Sequence, residues 1–285
     1  MIKRTFSTLL LWLGLAFILL QWGAPGGVWV VTFMALLTQY ELYRLFEKMK
    51  RRVLAPTGMG MGAFLCLTAW YLPHPFGIHS HFLASLTLLS LALVTSCILL
   101  MFVYIIVPGY RKGPSPLSST LWGIIYVPFM LQFYVRLIQV FAERGDATVG
   151  VWLVVWLIAV AKFTDVGGLL TGMLLGQHKF APSISPAKTW EGVGGGILLA
   201  VILGIAINIF AVHYMPASFT VPKAIACAVP ISILAIFSDL IQSAIKRRAK
   251  MKDSGGIIPG IGGMFDLTDS LILVAPLGFF LLHTL

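Results

Sequence analysis

The chain is predicted to be an all-α, polytopic integral membrane protein of about nine transmembrane helices, with its N-terminus cytoplasmic and its C-terminus outside. Three observations lead there. Hydrophobic residues make up 59% of the sequence and charged residues 11%, far from the balance of a water-soluble domain. The apolar residues fall in runs of about the length that crosses a bilayer, 17–25 residues. The cations gather in alternate loops, and therefore on one side. With the N-terminus inside, sixteen of the twenty Lys and Arg fall in cytoplasmic segments, Arg144 and Lys223 lie outside, and Arg136 and Lys162 lie within spans. The net charge of +10 is therefore ascribed to topology, with no nucleic-acid partner.

In chain order, the run to Trp22 opens with Lys3 and Arg4. No small-residue cleavage site follows it, so it is expected to stay as an anchor rather than leave as a signal peptide. A second run covers 28–43 and ends at the basic stretch Arg44 to Arg52, which suits a solvated face near anionic lipid. Further spans are placed at 58–72, 82–107, 121–141, 149–172, 192–214, 222–242 and 263–283. Residues 1–141 are expected to form a lipid-facing scaffold, and 142–285 a catalytic region with cytoplasmic loops 173–191 and 243–262. The outer loop holding His74, His79 and His81 has no carboxylate or cysteine beside it, which argues against a metal site. Cys66, Cys97 and Cys227 fall in separate spans without ligand spacing.

The second half differs in kind. Asp165 lies inside an apolar span, three residues after Lys162 on the same helical face. A charge at mid-helix costs about 2.5–3.5 kcal/mol to insert, a cost usually tolerated for function. The plainer alternative is a pair with Lys162 that neutralises itself. Gly167, Gly168 and Gly172 would let another backbone approach this helix closely. Ser185 followed by Pro186 predicts a helix N-cap, which places Lys188 and Thr189 in a first turn whose free N–H groups suit a phosphate.

The richest stretch runs from Phe237 to Ser270. It holds four of the ten carboxylates, Asp239, Asp253, Asp266 and Asp269, beside Lys246, Arg247, Arg248, Lys250 and Lys252. On a helix Asp239, Ser243 and Lys246 share one face. Asp266, Asp269 and Ser270 repeat that spacing after a turn from Pro259 to Gly263 that exposes backbone N–H groups. Carboxylates for a hard divalent cation, cations for phosphate oxygens and an N–H-rich turn are the parts of a nucleoside triphosphate site.

These residues carry a family resemblance. Asp165-x-Gly167, the run Ser185-Pro186-x-Lys188-Thr189-Trp190-x-Gly192, then Ser243-x-Ile245-Lys246-Arg247, Lys252-Asp253-Ser254-Gly255, Ile258-Pro259-Gly260-x-Gly262-Gly263 and Asp266-x-x-Asp269 together resemble the signature of the phosphatidate cytidylyltransferases, or CDP-diacylglycerol synthases. The chain has Ile261 where that family usually has His, Leu267 where it has Arg, and Leu169 where Tyr is frequent. The resemblance implies transfer of the cytidylyl group of CTP to phosphatidate, giving CDP-diacylglycerol and pyrophosphate. It implies Mg²⁺, with a second, monovalent cation left open, and Asp239 and Asp266 as the foremost metal ligands, ahead of Asp165 and Asp269. Lys188, Lys246, Arg247, Lys252 and Asp253 become the implied catalytic set, and Ser185, Thr189, Ser243, Arg248, Gly262 and Gly263 the substrate contacts. For each basic residue, topology alone is the competing account. A bacterial-type inner membrane, a site facing the cytoplasm and a homodimer are implied as well. Three other classes fit part of the pattern: a polyprenol or dolichol kinase, a lipid transporter, and a non-catalytic lipid-binding paralogue in which Ile261 and Leu267 mark lost chemistry.

Overall fold

A computed structural model describes residues 2–71, 93, 98, 115–256 and 262–285. The expected span 82–107, the histidine loop, Cys97 and Ile261 lie outside the described residues. The chain is mostly helical, as expected. Four stretches among the described residues are long and apolar enough to cross a membrane: Leu117–Glu143, Ala147–Leu175, Trp190–Phe210 and Val221–Arg248.

The first two expected spans form one helical run, α1 (Ile2–Lys48), broken at Gly23. There φ is 52° and ψ −134°, a conformation that glycine adopts without a Cβ penalty, two residues ahead of Pro25. After α2 (Ala55–Tyr71), the expected span 121–141 is two helices, α3 (Leu117–Tyr126) and α4 (Pro128–Glu143). The break falls at Val127 because Pro128 has no N–H to continue the ladder. Helix α5 (Ala147–Leu175) starts from Asp146, whose carboxylate accepts from the Val149 N–H at 3.3 Å.

A two-stranded antiparallel hairpin follows, β1 (Lys179–Ala181) and β2 (Ser185–Thr189). This corrects the helix start expected at Ser185. Pro186 sits in a short edge strand, where a missing donor is tolerated. The N-cap of α6 (Trp190–Phe210) is Thr189, whose hydroxyl accepts from the Gly192 N–H at 3.1 Å. Helix α7 (Val221–Arg248) leads into the loop before the short α8 (Met264–Leu267) and α9 (Val274–Leu282). The expected span 263–283 is therefore not one helix.

Helices α5 and α6 meet along glycines. A Cβ on Gly167 would stand 2.9 Å from the Gly195 carbonyl, and one on Gly196 would stand 2.6 Å from that of Thr164. Adding a methyl in such a seam costs about 1–3 kcal/mol. The outer face of α6 leaves Leu198, Ile202, Ile209 and Phe210 exposed, as in a helix bathed by hydrocarbon. Further along the α5–α6 seam the buried Trp156 donates its indole N–H to the Gly204 carbonyl at 2.8 Å. Helix α1 is keyed to α2 and α3 by Tyr43, whose hydroxyl donates to the Thr120 carbonyl at 3.0 Å and whose ring fills the space left by Gly58 and Gly123.

The two ends of the bundle are distinct. Arg144 donates to the His283 carbonyl at 2.7 Å and Ser218 to that of Leu285 at 2.9 Å, which puts the turn after α4, the loop after α6 and the C-terminal residues at one end. The hairpin, the end of α1 and the loop after α7 occupy the other, where Lys48 Nζ lies 3.3 Å from Met251 Sδ. The charged residues of the expected site are at this second end.

Candidate active site

Two clusters of charge lie one after the other along α7. The first is built by α5, β2, α7 and the turn after α8. Lys162 Nζ lies 2.8 Å from Asp269 Oδ1 and 3.9 Å from Asp165 Oδ2, and Lys188 Nζ lies 2.5 Å from Asp239 Oδ2. Lys162 therefore serves Asp269 more closely than Asp165, the partner that the plainer alternative gave it. The hydroxyl of Ser238 donates to the Asp269 carbonyl at 2.6 Å, tying the turn to α7 beside Asp239. The charges of Asp165, Asp239 and Asp269 all act on Lys162, so three carboxylates from three segments share one neighbourhood with two ammonium groups.

The second cluster lies two helical turns further along α7. Lys246 Nζ donates to Asp266 Oδ1 at 2.7 Å, and Asp266 Oδ2 accepts from the Ser254 N–H at 2.8 Å and the Gly263 N–H at 3.0 Å and lies 2.9 Å from the Ser254 hydroxyl oxygen. Gly262 makes this turn possible: its φ is +121°, and a Cβ there would stand 2.7 Å from Asp266 Oδ2. Asp266 lies outside the four long spans. Burial pushes its carboxyl up, but the Lys246 hydrogen bond, the Gly263 and Ser254 N–H groups and the Lys246 charge outweigh that and hold it below the usual carboxylate range.

The structure thus brings Asp165, Asp239, Asp269, Lys162 and Lys188 together, and Asp266, Lys246, Gly262 and Gly263 beside them. Ser243 is half-buried on α7 between the two clusters. Arg247, Arg248, Lys252 and Asp253 are exposed. Lys252, Asp253, Arg44 and Lys48 line a pocket of about 450 Å³ between the end of α1 and the loop after α7. Ser185 lies half-buried in the hairpin rather than at a helix start. Thr189 is engaged as the cap of α6. Glu191 accepts from the N–H groups of Gln177 and His178 and lies 2.6 Å from the His178 ring nitrogen, so it ties the base of the hairpin.

The donor set of the first cluster suits a hard cation. Three carboxylates against two lysines leave one negative charge in excess, and Mg²⁺ takes one or two carboxylates and completes its shell with water and phosphate oxygens. Among the described residues no three His, Cys, Asp or Glu side chains stand as a ready-made metal cage. Asp266 fits less well than the sequence pattern suggests, because three donors already occupy its two oxygens.

One residue of this end was missed in the sequence. Glu41 of α1 is 2% exposed and accepts from the Ser254 hydroxyl at 2.6 Å and from the Met264 and Phe265 N–H groups at 2.9 Å each. The signal that would have found it is the one that singled out Asp165, an ionisable residue inside an apolar span.

The Cytidylyltransferase family model matches residues 2–285. The phosphatidate cytidylyltransferase of Staphylococcus haemolyticus is 30% identical over 253 residues, covering 88% of this chain and 89% of that protein. That of Bacillus subtilis is 27% identical over 239 residues, 84% of each chain. That of Chlamydia muridarum is 32% identical over 179 residues, 61% of this chain, and the match spans just 57% of its length.

Proposed function

The chain belongs to the cytidylyltransferase family, and from that premise we propose that it is a phosphatidate cytidylyltransferase, converting CTP and phosphatidate to CDP-diacylglycerol and pyrophosphate in phospholipid synthesis. The observation that carries this is the meeting of the carboxylates of α5, α7 and the turn after α8 with lysines of α5 and the hairpin, at the bundle end where the signature loop lies.

A phosphatidate oxygen attacks the α-phosphorus of CTP and the bond from that phosphorus to the bridging oxygen of the leaving pyrophosphate breaks. Asp239, with Asp165 and Asp269, would hold Mg²⁺, and the bound cation would supply charge neutralisation for the triphosphate. Two anionic reactants repel each other. Lys188 and Lys162 reduce that repulsion, and because they are already fixed by Asp239 and Asp269 they need little reorganisation as charge moves. Arg247, Arg248, Lys252, Arg44 and Lys48 attract phosphate at the exposed rim. Ser185 and Ser243 add hydroxyl contacts. Asp266 and Lys246 hold the signature loop. No protein nucleophile takes part.

The site end faces the cytoplasm of a bacterial-type inner membrane in this reading, the chain crosses about nine times with its C-terminus outside, and it works as a homodimer. The sidedness is tested by single cysteines in a chain whose own three are replaced by alanine. Ser183→Cys and Gly256→Cys are expected to react with an impermeant thiol reagent from the cytoplasmic side only, and Ala217→Cys from the outer side only. Labelling of residue 256 from outside would reverse the orientation.

The activity is tested by incubating the purified protein with labelled CTP and Mg²⁺ and, in separate reactions, phosphatidate or a polyprenol as acceptor. Liponucleotide is the expected product. Phosphorylated polyprenol in place of it would make the chain a lipid kinase, and no turnover with any acceptor would make it a non-catalytic paralogue or a transporter.

A further inference from the structure

We propose that Glu41, a residue of the first half of the chain, is a positioning residue for cytidylyl transfer, holding the signature loop in its reactive shape from α1. The proposal rests on the transferase reading above.

Glu41 lies more than two hundred residues from the groups it binds, and both of its oxygens are used. Oε1 accepts from the Met264 N–H, and Oε2 accepts from the Phe265 N–H and the Ser254 hydroxyl. The Ser254 oxygen also lies 2.9 Å from Asp266 Oδ2, so one hydroxyl stands between two carboxylates, one on each side of the loop. The glycines of the loop make room for Glu41. A Cβ on Gly263 would run into Oε2 of Glu41, and one on Gly255 would stand 2.8 Å from Oε1. Two glycines of the signature are therefore needed where they are because a carboxylate from another helix occupies the space their side chains would fill.

The contact continues along the same face of α1. One turn before Glu41, the Thr38 hydroxyl lies 3.2 Å from that of Thr268. One and two turns after it, Arg44 and Lys48 line the pocket shared with Lys252 and Asp253. Helix α1 thus holds Ser254 on one side of the loop and Met264, Phe265 and Thr268 on the other. Asp266, held by Ser254, and Asp269, three residues on and paired with Lys162, take their places from that grip.

The test is steady-state kinetics of the full-length protein in detergent, normalised to folded enzyme, with CTP, phosphatidate and Mg²⁺ varied in turn. Glu41→Gln keeps size but must turn its NH₂ toward the Met264 or the Phe265 N–H, two donors facing each other. It is expected to lower kcat by about thirtyfold or more, as displacement of reacting groups by about 1 Å does, with both KM values within about threefold. Gly255→Ala pushes on the same carboxylate without removing it and is expected to lower kcat in the same way, even if Glu41→Gln does not fold. Glu41→Asp in the Gly255→Ala background shortens the side chain away from the new methyl and is expected to recover part of that loss. A kcat per folded molecule unchanged in both single variants, or a loss confined to the melting temperature, would overturn the role of Glu41. Absence of turnover in the unaltered chain would overturn the transferase reading itself, and this proposal with it.

Discussion

Asp239→Asn is expected to lower kcat by about 10²–10³-fold while leaving insertion and folding intact. The substitution keeps the shape of the side chain and removes its charge. The Lys188 ammonium, 2.5 Å from Asp239 Oδ2, then loses its counter-charge, and the hard oxygen donor of α7 is replaced by a neutral amide. Two accounts of that loss can be separated. If Asp239 only anchors Lys188, then Asp239→Asn combined with Lys188→Gln is no worse than either change alone, and the Mg²⁺ concentration for half activity does not move. If Asp239 also holds the cation, that concentration rises in Asp239→Asn and stays near normal in Lys188→Gln, a contrast that a double-mutant cycle at several Mg²⁺ levels resolves. The second pattern is expected, because the first cluster has more carboxylates than lysines. Near-normal turnover of Asp239→Asn at limiting Mg²⁺ would remove this residue from the ligand set.

What the sequence discloses here depends on how local the physics is. The membrane class, α5 to α7 and the packing role of Gly167 and Gly168 rest on composition and periodicity, and they stand. One error has a plain source, since hydropathy measures length but not continuity: the apolar stretch 263–283 is interrupted by a turn. The break at Gly23 falls between the two runs expected there, and 121–141 lies within one stretch long enough to span, though it is jointed before Pro128. Ser185–Pro186 suits either a helix start or an edge strand, and pairing with Lys179 to Ala181 decided for the strand. The acidic and basic residues of the site were legible as a set, whereas their pairing was not. Lys162 prefers Asp269 to its helical neighbour Asp165, and Lys188 reaches Asp239 from a hairpin, because both choices are made by tertiary contacts. Glu41 was hidden for the same reason, since its partners lie at the far end of the chain.

Lys246→Met is expected to cost about 3 kcal/mol of stability together with most of the activity, because removing one member of a largely buried pair leaves the other charge uncompensated. The side chains of Lys246 and Asp266 are 12% and 10% exposed, so water can make up little of the loss. Asp266 would keep two neutral donors, the Ser254 and Gly263 N–H groups, enough to hold the loop in outline but not its charge balance. The pH dependence follows from the depressed carboxyl of Asp266. In the unaltered protein the pair contributes fully above the unfolded carboxylate pKa of about 3.9 and loses its contribution only as pH falls through the lower folded value. Without Lys246 the folded value rises, so the acid limb of the stability curve moves to higher pH. Asp266→Asn removes that limb's dependence on this carboxyl and is expected to lower melting temperature and kcat together, leaving the Mg²⁺ requirement unchanged. That outcome assigns Asp266 to holding the loop, and the contrast with Asp239→Asn is the decisive comparison. A raised Mg²⁺ requirement in Asp266→Asn with an unchanged melting temperature would instead make Asp266 a ligand, as the sequence pattern alone implied, and would mean that Lys246 gives it up when substrate binds.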